Sequence, residues 1–469
     1  MKTECNAKRV KFQGLDRREV IGQFDGGMIT SDAGALLLRE TERRTGILKS
    51  FSQCFTDFRD PERIDHTVLQ LASQRVYGLA LGYEDLNDHD RLRHDQLLAV
   101  LCGKPDPTGE DRNNPNDKGK PLAGKSTLNR LELTRADANK KNRYKKIVVH
   151  DEKIDDLFVD VFVNSHGKIP QRIILDVDAT DDPLHGHQEG RFFHGYYKAY
   201  CYLPLYIFCE DHLLCARLRP AGIDGAAGTV EELDRIVKRI RAGWPEVQII
   251  IRGDSGFCRE QIMAWCEKEH VDFVLGLAKN SRLNRIIEQD LVEAEFKYRT
   301  SGRASRIYND FEYQTRKSWS RSRRVISKAE YLPRGANPRY VVTSLSPQEA
   351  SADVLYEKLY CARGDMENRI KEQQLYLFAD RTSTAKMRSN QLRLYFSSIA
   401  YLLLSSFRRL ALTGTSMAKA QCHTIREKLF KIGAKVKVTV RKVWVSLAES
   451  YPNRDLFLKI HEKLTTIPV

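Results

Sequence analysis

The chain has 469 residues, and its 77 Lys and Arg outnumber its 62 Asp and Glu to give a formal net charge of +15 at pH 7. This length predicts two or three domains with ample material for a buried core. The charge indicates a polyanionic partner, and on charge alone DNA, RNA and anionic membrane surfaces all stay open. Residues 1–23 are basic and polar, so no signal peptide is predicted.

The apolar and cysteine patterns exclude two further classes of protein. The longest apolar stretch, Leu394–Phe407, is shorter than the ~20 residues that a membrane span requires, so a buried core helix is expected there. The 10 cysteines are scattered without a Cys-x-x-Cys pair. Neither a disulfide framework nor a zinc finger is therefore expected. We expect instead buried, reduced thiols in a cytoplasmic protein.

The N-terminal third has helical patterns and a basic character. Residues 1–25 are expected to be loosely ordered. The pattern then predicts helices at 35–40, at 65–81 with Asp65 as N-cap, at 92–101 and from Ser126, and a proline-rich loop at 104–121. A basic run at 140–146 suits DNA binding, and a solvated charged face on a packing domain is the open alternative.

Strands and helices alternate from about Lys168. The pattern predicts strands at 173–178, 199–208, 213–218, 247–252 and 273–277, with helices at 227–242 and 259–269. The first strand places Asp176 and Asp178 on one face, because side chains two apart share a face. A carboxylate in so apolar a strand is costly unless it is paired or holds a metal.

Residues 285–345 interrupt this alternation with short predicted strands at 306–308, 311–315 and 339–343. Between the strands Trp319 lies among arginines, including Arg321, Arg323 and Arg324. Interleaved arginines and aromatic residues suit contact with the DNA backbone and with unpaired bases. For any single arginine the open alternative is an edge strand kept soluble by its charge.

Two elements are predicted toward the C-terminus. Thr384–Leu412 reads as a long, mostly apolar helix. Val436–Arg441 alternates as a strand with one basic face, and the change of phase at Lys442 predicts a β-bulge.

Three carboxylates are candidate ligands for divalent cations. Asp178 closes the first strand, and Asp254 follows strand 247–252 between glycines that allow a sharp turn. Glu367 lies on a predicted helix, with Tyr360, Arg363, Lys371 and Gln374 on the same stripe. Taken singly, each has a plain alternative as a turn, cap or solvated residue. Together they favour Mg²⁺ or Mn²⁺, which prefer oxygen ligands.

These residues carry a resemblance to a known family. Asp178-Ala179-Thr180 on a first strand, Asp254 after a later strand and Tyr-x2-Arg-x3-Glu ending at Glu367 resemble the DDE transposases of bacterial insertion sequences. The branch is the one whose last motif reads Tyr-x2-Arg-x3-Glu-x6-Lys. The resemblance extends from about Gly26 to the C-terminus and includes three flanking segments: Gly186–Gly190, Arg252–Phe257 and Glu367–Glu372.

The resemblance also ranks neighbouring residues. Its Asp-x-Thr pattern favours Asp178 over Asp176 as the first catalytic aspartate. The closing Lys of the family falls on Gln374, and Lys371, one helical turn earlier, is the candidate substitute. His185, His187 and His194 could form a zinc or di-iron site, but a loop near the substrate is the favoured interpretation.

The resemblance implies an α/β fold, with a ribonuclease H-like mixed-sheet core, a β-rich insertion, a helical N-terminal DNA-binding region and a helical, basic C-terminal region. Three early strands followed by helix, strand, helix and strand fit that core. The expected division is 1–165 N-terminal region, 166–284 first part of the core, 285–350 insertion, 351–412 second part of the core and 413–469 C-terminal region.

The implied function is a cut-and-paste DNA transposase in the bacterial cytoplasm, associated with the nucleoid and not with a membrane. It would bind the terminal inverted repeats of an insertion sequence, cleave double-stranded DNA with two Mg²⁺ or Mn²⁺ ions, form a hairpin and transfer the strand, acting as a homodimer. Asp178, Asp254 and Glu367 would be the catalytic metal ligands. The DNA contacts would be Tyr360, Arg363, Lys371, Trp319, Arg321, Arg323 and Arg324. A metal-dependent nuclease and a non-catalytic DNA-binding descendant are the alternatives.

Overall fold

The structure is a computed structural model that describes residues 9–466. These residues belong to two compact units. Unit 1 comprises the chain up to His150, residues 376–378 and the chain from Ile399; unit 2 comprises Asp151–Leu375 and Ala379–Ser398. These boundaries differ from the expected division at 165 because the helix Asp151–Asn164 packs on a strand of unit 2, His212–Arg217. The roles assigned to the expected segments stay predictions.

Unit 1 begins with short strands and helices. These are β1 Val10–Leu15, β2 Arg18–Gly22, β3 Met28–Thr30, α1 Leu36–Thr45, α2 Ile47–Ser52, β4 Phe55–Asp57, α3 Val68–Ala80, α4 His89–Leu92, α5 Gln96–Leu101, α6 Lys125–Glu132 and β5 Ile147–Val149. The helices expected at 35–40, at 65–81 and from Ser126 are present, but the one expected at 92–101 begins only at Gln96, because Asp95 caps it by accepting the Leu98 N–H. Helix α3 is capped by Thr67 rather than Asp65, because the Thr67 hydroxyl accepts the Gln70 N–H at 3.2 Å.

The first 25 residues correct an expectation. Strands β1 and β2 form an antiparallel hairpin with exposed apolar side chains, so residues 10–22 are not loosely ordered. The sequence did not reveal the turn because its left-handed position, at φ 54°, is occupied by Asp16 rather than by the glycine that usually marks such a hairpin. Residues 1–8 of that expectation lie outside the described residues.

Unit 2 contains the large sheet. Its elements are α7 Asp151–Asn164, β6 Arg172–Ala179, β7 Asp182–Pro183, β8 Phe192–His194, β9 Ala199–Tyr202, β10 Leu205–Cys209, β11 His212–Arg217, α8 Thr229–Gly243, β12 Gln248–Gly253, α9 Glu260–Lys268, β13 Asp272–Leu277, α10 Ser281–Ile286, α11 Glu288–Ser301, β14 Ser305–Tyr313, β15 Arg323–Leu332, β16 Gly335–Ala336, β17 Arg339–Thr343, α12 Ala352–Val354 and α13 Gly364–Leu377.

The nine strands of that sheet are ordered β11-β10-β6-β12-β13-β17-β15-β14, with β16 paired to β15. Strand β10 is antiparallel to both β11 and β6, whereas β6, β12 and β13 are mutually parallel. The mixed α/β fold expected from the sequence is confirmed at this level. Both faces of the sheet are covered: Leu175 and Val177 point into one apolar cluster, and Ile250 and Val274 into another.

The expected β-rich insertion is an extension of this sheet. Strands β14, β15 and β17 continue it beyond β13 through antiparallel pairs. Helix α11 precedes them and was not predicted. It lacks a clear apolar stripe, since Ala294 is its buried residue, and periodicity is the signal that such a prediction needs.

The chain then returns to unit 1 through α14 Met387–Phe407, followed by α15 Cys422–Ile425, β18 Ala434–Val438, β19 Val443–Leu447 and α16 Arg454–Thr466. Leu394–Phe407 is a buried core helix as expected. Within residues 9–466 no helix has the length and apolar content to cross a bilayer.

The bulge expected at Lys442 is wrong. Strands β18 and β19 form a hairpin whose turn is closed by the Thr439 N–H bonded to the Lys442 carbonyl at 2.8 Å. The phase of alternation changes at that point because the chain reverses direction. On its other side, β18 pairs with β3.

Candidate active site

Asp178 lies near the end of β6, on the sheet face opposite to Leu175 and Val177. Its Oδ1 accepts the Ala179 N–H at 2.9 Å, and its Oδ2 lies 3.5 Å from Nη1 of Arg363. The side chain retains 16 % exposure. A carboxylate with one cationic neighbour and partial access to solvent is available to a ligand.

Asp254 follows β12, the parallel neighbour of β6. Because both strands run in the same direction, the two aspartates are at the same edge of the sheet. The loop turns tightly, with the Gly256 N–H donated to Oδ1 of Asp254 at 2.8 Å. An added Cβ at Gly253 would lie 2.8 Å from Cγ2 of Val177, so β12 requires glycine there to lie this close to β6.

Glu367 is in the first turn of α13. The helix does not run back to Tyr360 as predicted, because residues 355–360 form a wide π-type turn and residues 361–363 a tight 3₁₀ turn. Arg363 and Glu367 still face each other one turn apart, with Nη2 of Arg363 2.9 Å from Oε1 of Glu367. The Arg363 guanidinium therefore bridges Asp178 and Glu367.

Gly276 on β13 is a site residue that sequence reasoning missed. An added Cβ there would lie 2.5 Å from the Tyr360 hydroxyl and 2.9 Å from the Ser255 nitrogen. Glycine at this position lets the Asp254 loop and Tyr360 approach the sheet. A glycine inside an apolar strand is the signal that could have identified it.

The charges of these groups are coupled. The pKa of Asp178 is raised to about 6, chiefly by burial and also by the Asp254 and Glu367 carboxylates, while Arg363 and the Ala179 N–H act in the opposite direction. Burial alone would lower the pKa of Arg363, but Asp178, Asp254 and Glu367 hold it above its ordinary value. All three predicted carboxylates thus lie within electrostatic reach of one arginine.

The donor set of this site fits a hard divalent cation, because its three acidic side chains offer only oxygen atoms. As positioned, no three His, Cys, Asp or Glu side chains in the described part of the chain form a metal-binding group. At this site the Arg363 guanidinium lies between Asp178 and Glu367 and supplies the positive charge there. His185 and His187 are exposed, and His194 packs against the Tyr197 ring.

Asp176, the rival of Asp178, has a different environment. Arg252 on the neighbouring strand donates to it twice, from Nε at 2.5 Å and from Nη2 at 2.7 Å. Both side chains are buried, and the remaining Arg252 nitrogen Nη1 donates to the Leu359 carbonyl. The pair joins β6 to β12, which gives Asp176 a structural explanation.

Trp319, Arg323 and Arg324, three of the predicted DNA contacts, all have buried side chains in this structure. Arg323 makes paired hydrogen bonds to Glu260 and Glu267. Arg324 binds Asp310 and two backbone carbonyls. Trp319 packs edge-on against Tyr313, beside Arg323. Only Arg321 of the four is exposed, at 67 %.

Gln374 and Lys371 lie at the end of the Tyr-x2-Arg-x3-Glu-x6-Lys motif, where Lys371 was expected to substitute for the family Lys. Gln374, at the position of the family Lys, donates from Nε2 to the Asp181 carbonyl at 3.0 Å and so holds the loop that follows Asp178. Lys371 is exposed. Asp182, in the short strand β7 that follows, is buried, and burial together with Asp380 raises its pKa.

Comparison with known protein families supplies the deciding observation: the model of the transposase DDE domain group 1 family matches residues 12–469. The chain belongs to this family. The match covers nearly the whole chain, so both units are part of the transposase DDE domain protein and neither is an appended module. A comparison with curated proteins finds no match.

One prediction follows from the pKa of Asp178. In the folded transposase this pKa is about 6, against an ordinary value of 3.8, so the folded state binds the proton more tightly than the unfolded chain. Folding is therefore disfavoured by ionised Asp178, and this cost grows as pH rises from about 4 to 6. In metal-free buffer, Asp178→Asn is expected to be more stable than the native protein at pH 7.5 by up to about 3 kcal/mol, with the difference vanishing near pH 4.

The measurement is urea unfolding at several pH values with EDTA present. Asp137→Asn, which removes an exposed carboxylate, is the control for the general loss of one negative charge. A stability difference for Asp178→Asn that does not change with pH would contradict the raised pKa.

Proposed function

We propose that this protein is a cut-and-paste DNA transposase with a metal-dependent active site formed by Asp178, Asp254 and Glu367. The single observation that carries the proposal is the convergence of three carboxylates, from two parallel strand ends and one helix, on Arg363. Such an arrangement is expected where further positive charge binds.

The sheet supports a ribonuclease H-like core. Numbered along the chain, the core strands β6, β10, β11, β12 and β13 have the order third, second, first, fourth, fifth. The first three are antiparallel, and the last two run parallel to the first. This is the arrangement expected from three early strands followed by two helix–strand units.

In the proposed reaction Asp178, Asp254 and Glu367 would hold two Mg²⁺ or Mn²⁺ ions. Bound ions would activate a water or 3′-hydroxyl and stabilise the leaving oxygen of an in-line phosphoryl displacement. Arg363 then has the fork geometry to bind a DNA phosphate. Tyr360, held against Gly276, positions the turn that carries Arg363.

The DNA-binding part of the proposal rests on the net charge of +15 and on the family. Exposed Lys371 and Arg321 are the members of the expected DNA contacts that solvent reaches most readily. Binding of terminal inverted repeats, hairpin formation and synapsis by a homodimer are proposed from the family alone.

The expected metal response tests this function. Three clustered carboxylates prefer oxygen-coordinated cations, so Mg²⁺ or Mn²⁺ should restore nicking of transposon-end DNA to EDTA-treated protein, whereas Zn²⁺ should not. Nicks are mapped on a duplex that carries the element's own flanking sequence. Nicking that survives chelation would exclude the metal-dependent mechanism.

The same assay separates the proposal from the alternative of a nuclease. A transposase joins the liberated 3′-hydroxyl to a second DNA molecule, whereas a nuclease stops at cleavage. Strand-transfer product from a pre-cleaved end supports the transposase, and cleavage without such product favours the nuclease.

A further inference from the structure

A strongly cationic cavity lies in unit 1. Its volume is about 230 Å³, and eight of its twelve lining residues are Arg, Lys or His whereas one, Asp65, is acidic. That carboxylate is already engaged, since Oδ1 accepts the Asn113 N–H at 3.2 Å and Oδ2 lies 3.5 Å from Nη2 of Arg112. The lining therefore has a large excess of positive charge, which favours an anionic ligand.

Tyr144 on the cavity wall is flanked by two arginines. The guanidinium carbons of Arg130 and Arg143 lie 4.7 Å and 5.1 Å from its ring centroid. Neither guanidinium has an ion-pair partner within residues 9–466. Tyr144 is nevertheless 51 % exposed, so a ligand can reach the side chain from solvent.

Two further observations indicate a built site. Arg112 is 8 % exposed, and its Nε has no hydrogen-bond partner in the described structure. A buried guanidinium nitrogen without a partner is costly unless a ligand satisfies it. Lys145, next to Tyr144, has φ 34°, a strained backbone for a residue with a side chain.

A second cavity adjoins the first. It shares Arg130, Tyr144 and Lys145 with the first cavity and adds Lys125 and Asn129. Tyr144 thus lies on the wall of two adjacent basic cavities, as a base-stacking platform between phosphate-binding positions would.

We propose that this Tyr144 cavity binds an unpaired DNA segment, with a base stacked on the Tyr144 ring and the adjoining phosphates held by Arg130, Arg143 and Lys145. The inference rests on the proposed function, because DNA is chosen over RNA on account of the transposase family. Transposon ends must be opened for cleavage and hairpin formation, and an opened end supplies such a segment.

The test uses the full-length protein in EDTA, so that binding is measured without cleavage. The probe is fluorescein-labelled oligo(dT) of about ten nucleotides, compared with a blunt duplex of the same length. Tyr144→Ala is expected to weaken oligo(dT) binding about tenfold or more while changing duplex binding less than about twofold. Tyr144→Phe, which retains the ring, should bind like the native protein.

Arg143→Ala provides a second line of evidence that does not depend on the tyrosine. It should weaken oligo(dT) binding and lower the slope of log affinity against log salt by about 0.7, the value for one phosphate contact on a single strand. Trp444→Ala is the matched control, because Trp444 is an exposed aromatic of unit 1 with Lys442 5.2 Å from its ring centroid. It should leave the preference for oligo(dT) unchanged.

Native affinity in Tyr144→Ala, or an equal loss in Trp444→Ala, would overturn the assignment. Tighter binding of oligo(U) than of oligo(dT) would overturn the choice of DNA. Thermal unfolding of each variant separates lost binding from lost folding, and Arg143→Ala decides the matter if Tyr144→Ala does not fold. If the native protein fails to nick end DNA in Mg²⁺ but the oligo(dT) results are as expected, the cavity stands and the proposed function fails.

Discussion

Asp178→Asn, Asp254→Asn and Glu367→Gln are each expected to reduce nicking of transposon-end DNA by at least about 10³-fold. Each amide keeps the shape of the acid but loses the charge that a divalent cation requires. Binding of the end duplex should stay within about twofold, because these three residues contribute negative charge and no attraction to phosphate. A gel-shift and a nicking assay on one substrate measure both quantities.

Asp176→Asn is the matched control on the same strand. It breaks the buried pair with Arg252 and leaves that guanidinium undercompensated, so it should lower the free energy of unfolding by about 3–5 kcal/mol. The fraction that remains folded at low temperature should still nick DNA. A stable but inactive Asp176→Asn, together with an active Asp178→Asn, would show that the first catalytic aspartate is Asp176.

Arg323→Ala is expected to destabilise the protein by about 3–5 kcal/mol without weakening DNA binding by the folded protein. Arg323 is 3 % exposed and makes ion pairs of 2.7 Å with both Glu260 and Glu267, so its removal leaves two carboxylates without their shared cation. Urea unfolding measures the loss of stability, and the salt dependence of DNA affinity should keep its slope.

Arg321→Ala is the control for this variant. Arg321 is 67 % exposed and its contact with Glu267 is at 4.0 Å, so its removal should change stability by less than about 0.5 kcal/mol. If Arg323→Ala proves as stable as Arg321→Ala and binds DNA more weakly, then Arg323 is not paired with Glu260 and Glu267 in solution and contacts DNA instead.

The clustering of the three candidate carboxylates around Arg363 could be predicted because their signals are local. Asp178 and Asp254 each close an apolar strand, and Arg363 and Glu367 are one helical turn apart, so short stretches of sequence carry the pattern. The fate of Arg323 could not be predicted in this way. Its partners Glu260 and Glu267 are 63 and 56 residues earlier in the chain, and only the completed sheet brings them together.

The same distinction explains the errors in the fold. Strand β18 was recognisable from its alternation of side chains. A chain reversal at Thr439–Lys442 changes the phase of that alternation in the same way as a bulge would, so the sequence could not distinguish the two. Asp176 and Asp178 are equivalent in a strand pattern. They differ in their partners: Arg252 forms an ion pair with Asp176, whereas Asp178 lies next to Arg363.

The pairing of β3 with β18 has a consequence for synthesis of the chain. Met28–Thr30 leaves the ribosome early, but its partner Ala434–Val438 is among the last segments made. At ~5–20 residues per second, the first strand waits about 20–80 s for its partner. Unit 1 therefore cannot follow the usual order in which N-terminal domains fold first, whereas all of unit 2 is available by Ser398. A nascent or C-terminally truncated chain has an unsatisfied β3 edge, so chaperone dependence and low-temperature expression are expected for this transposase.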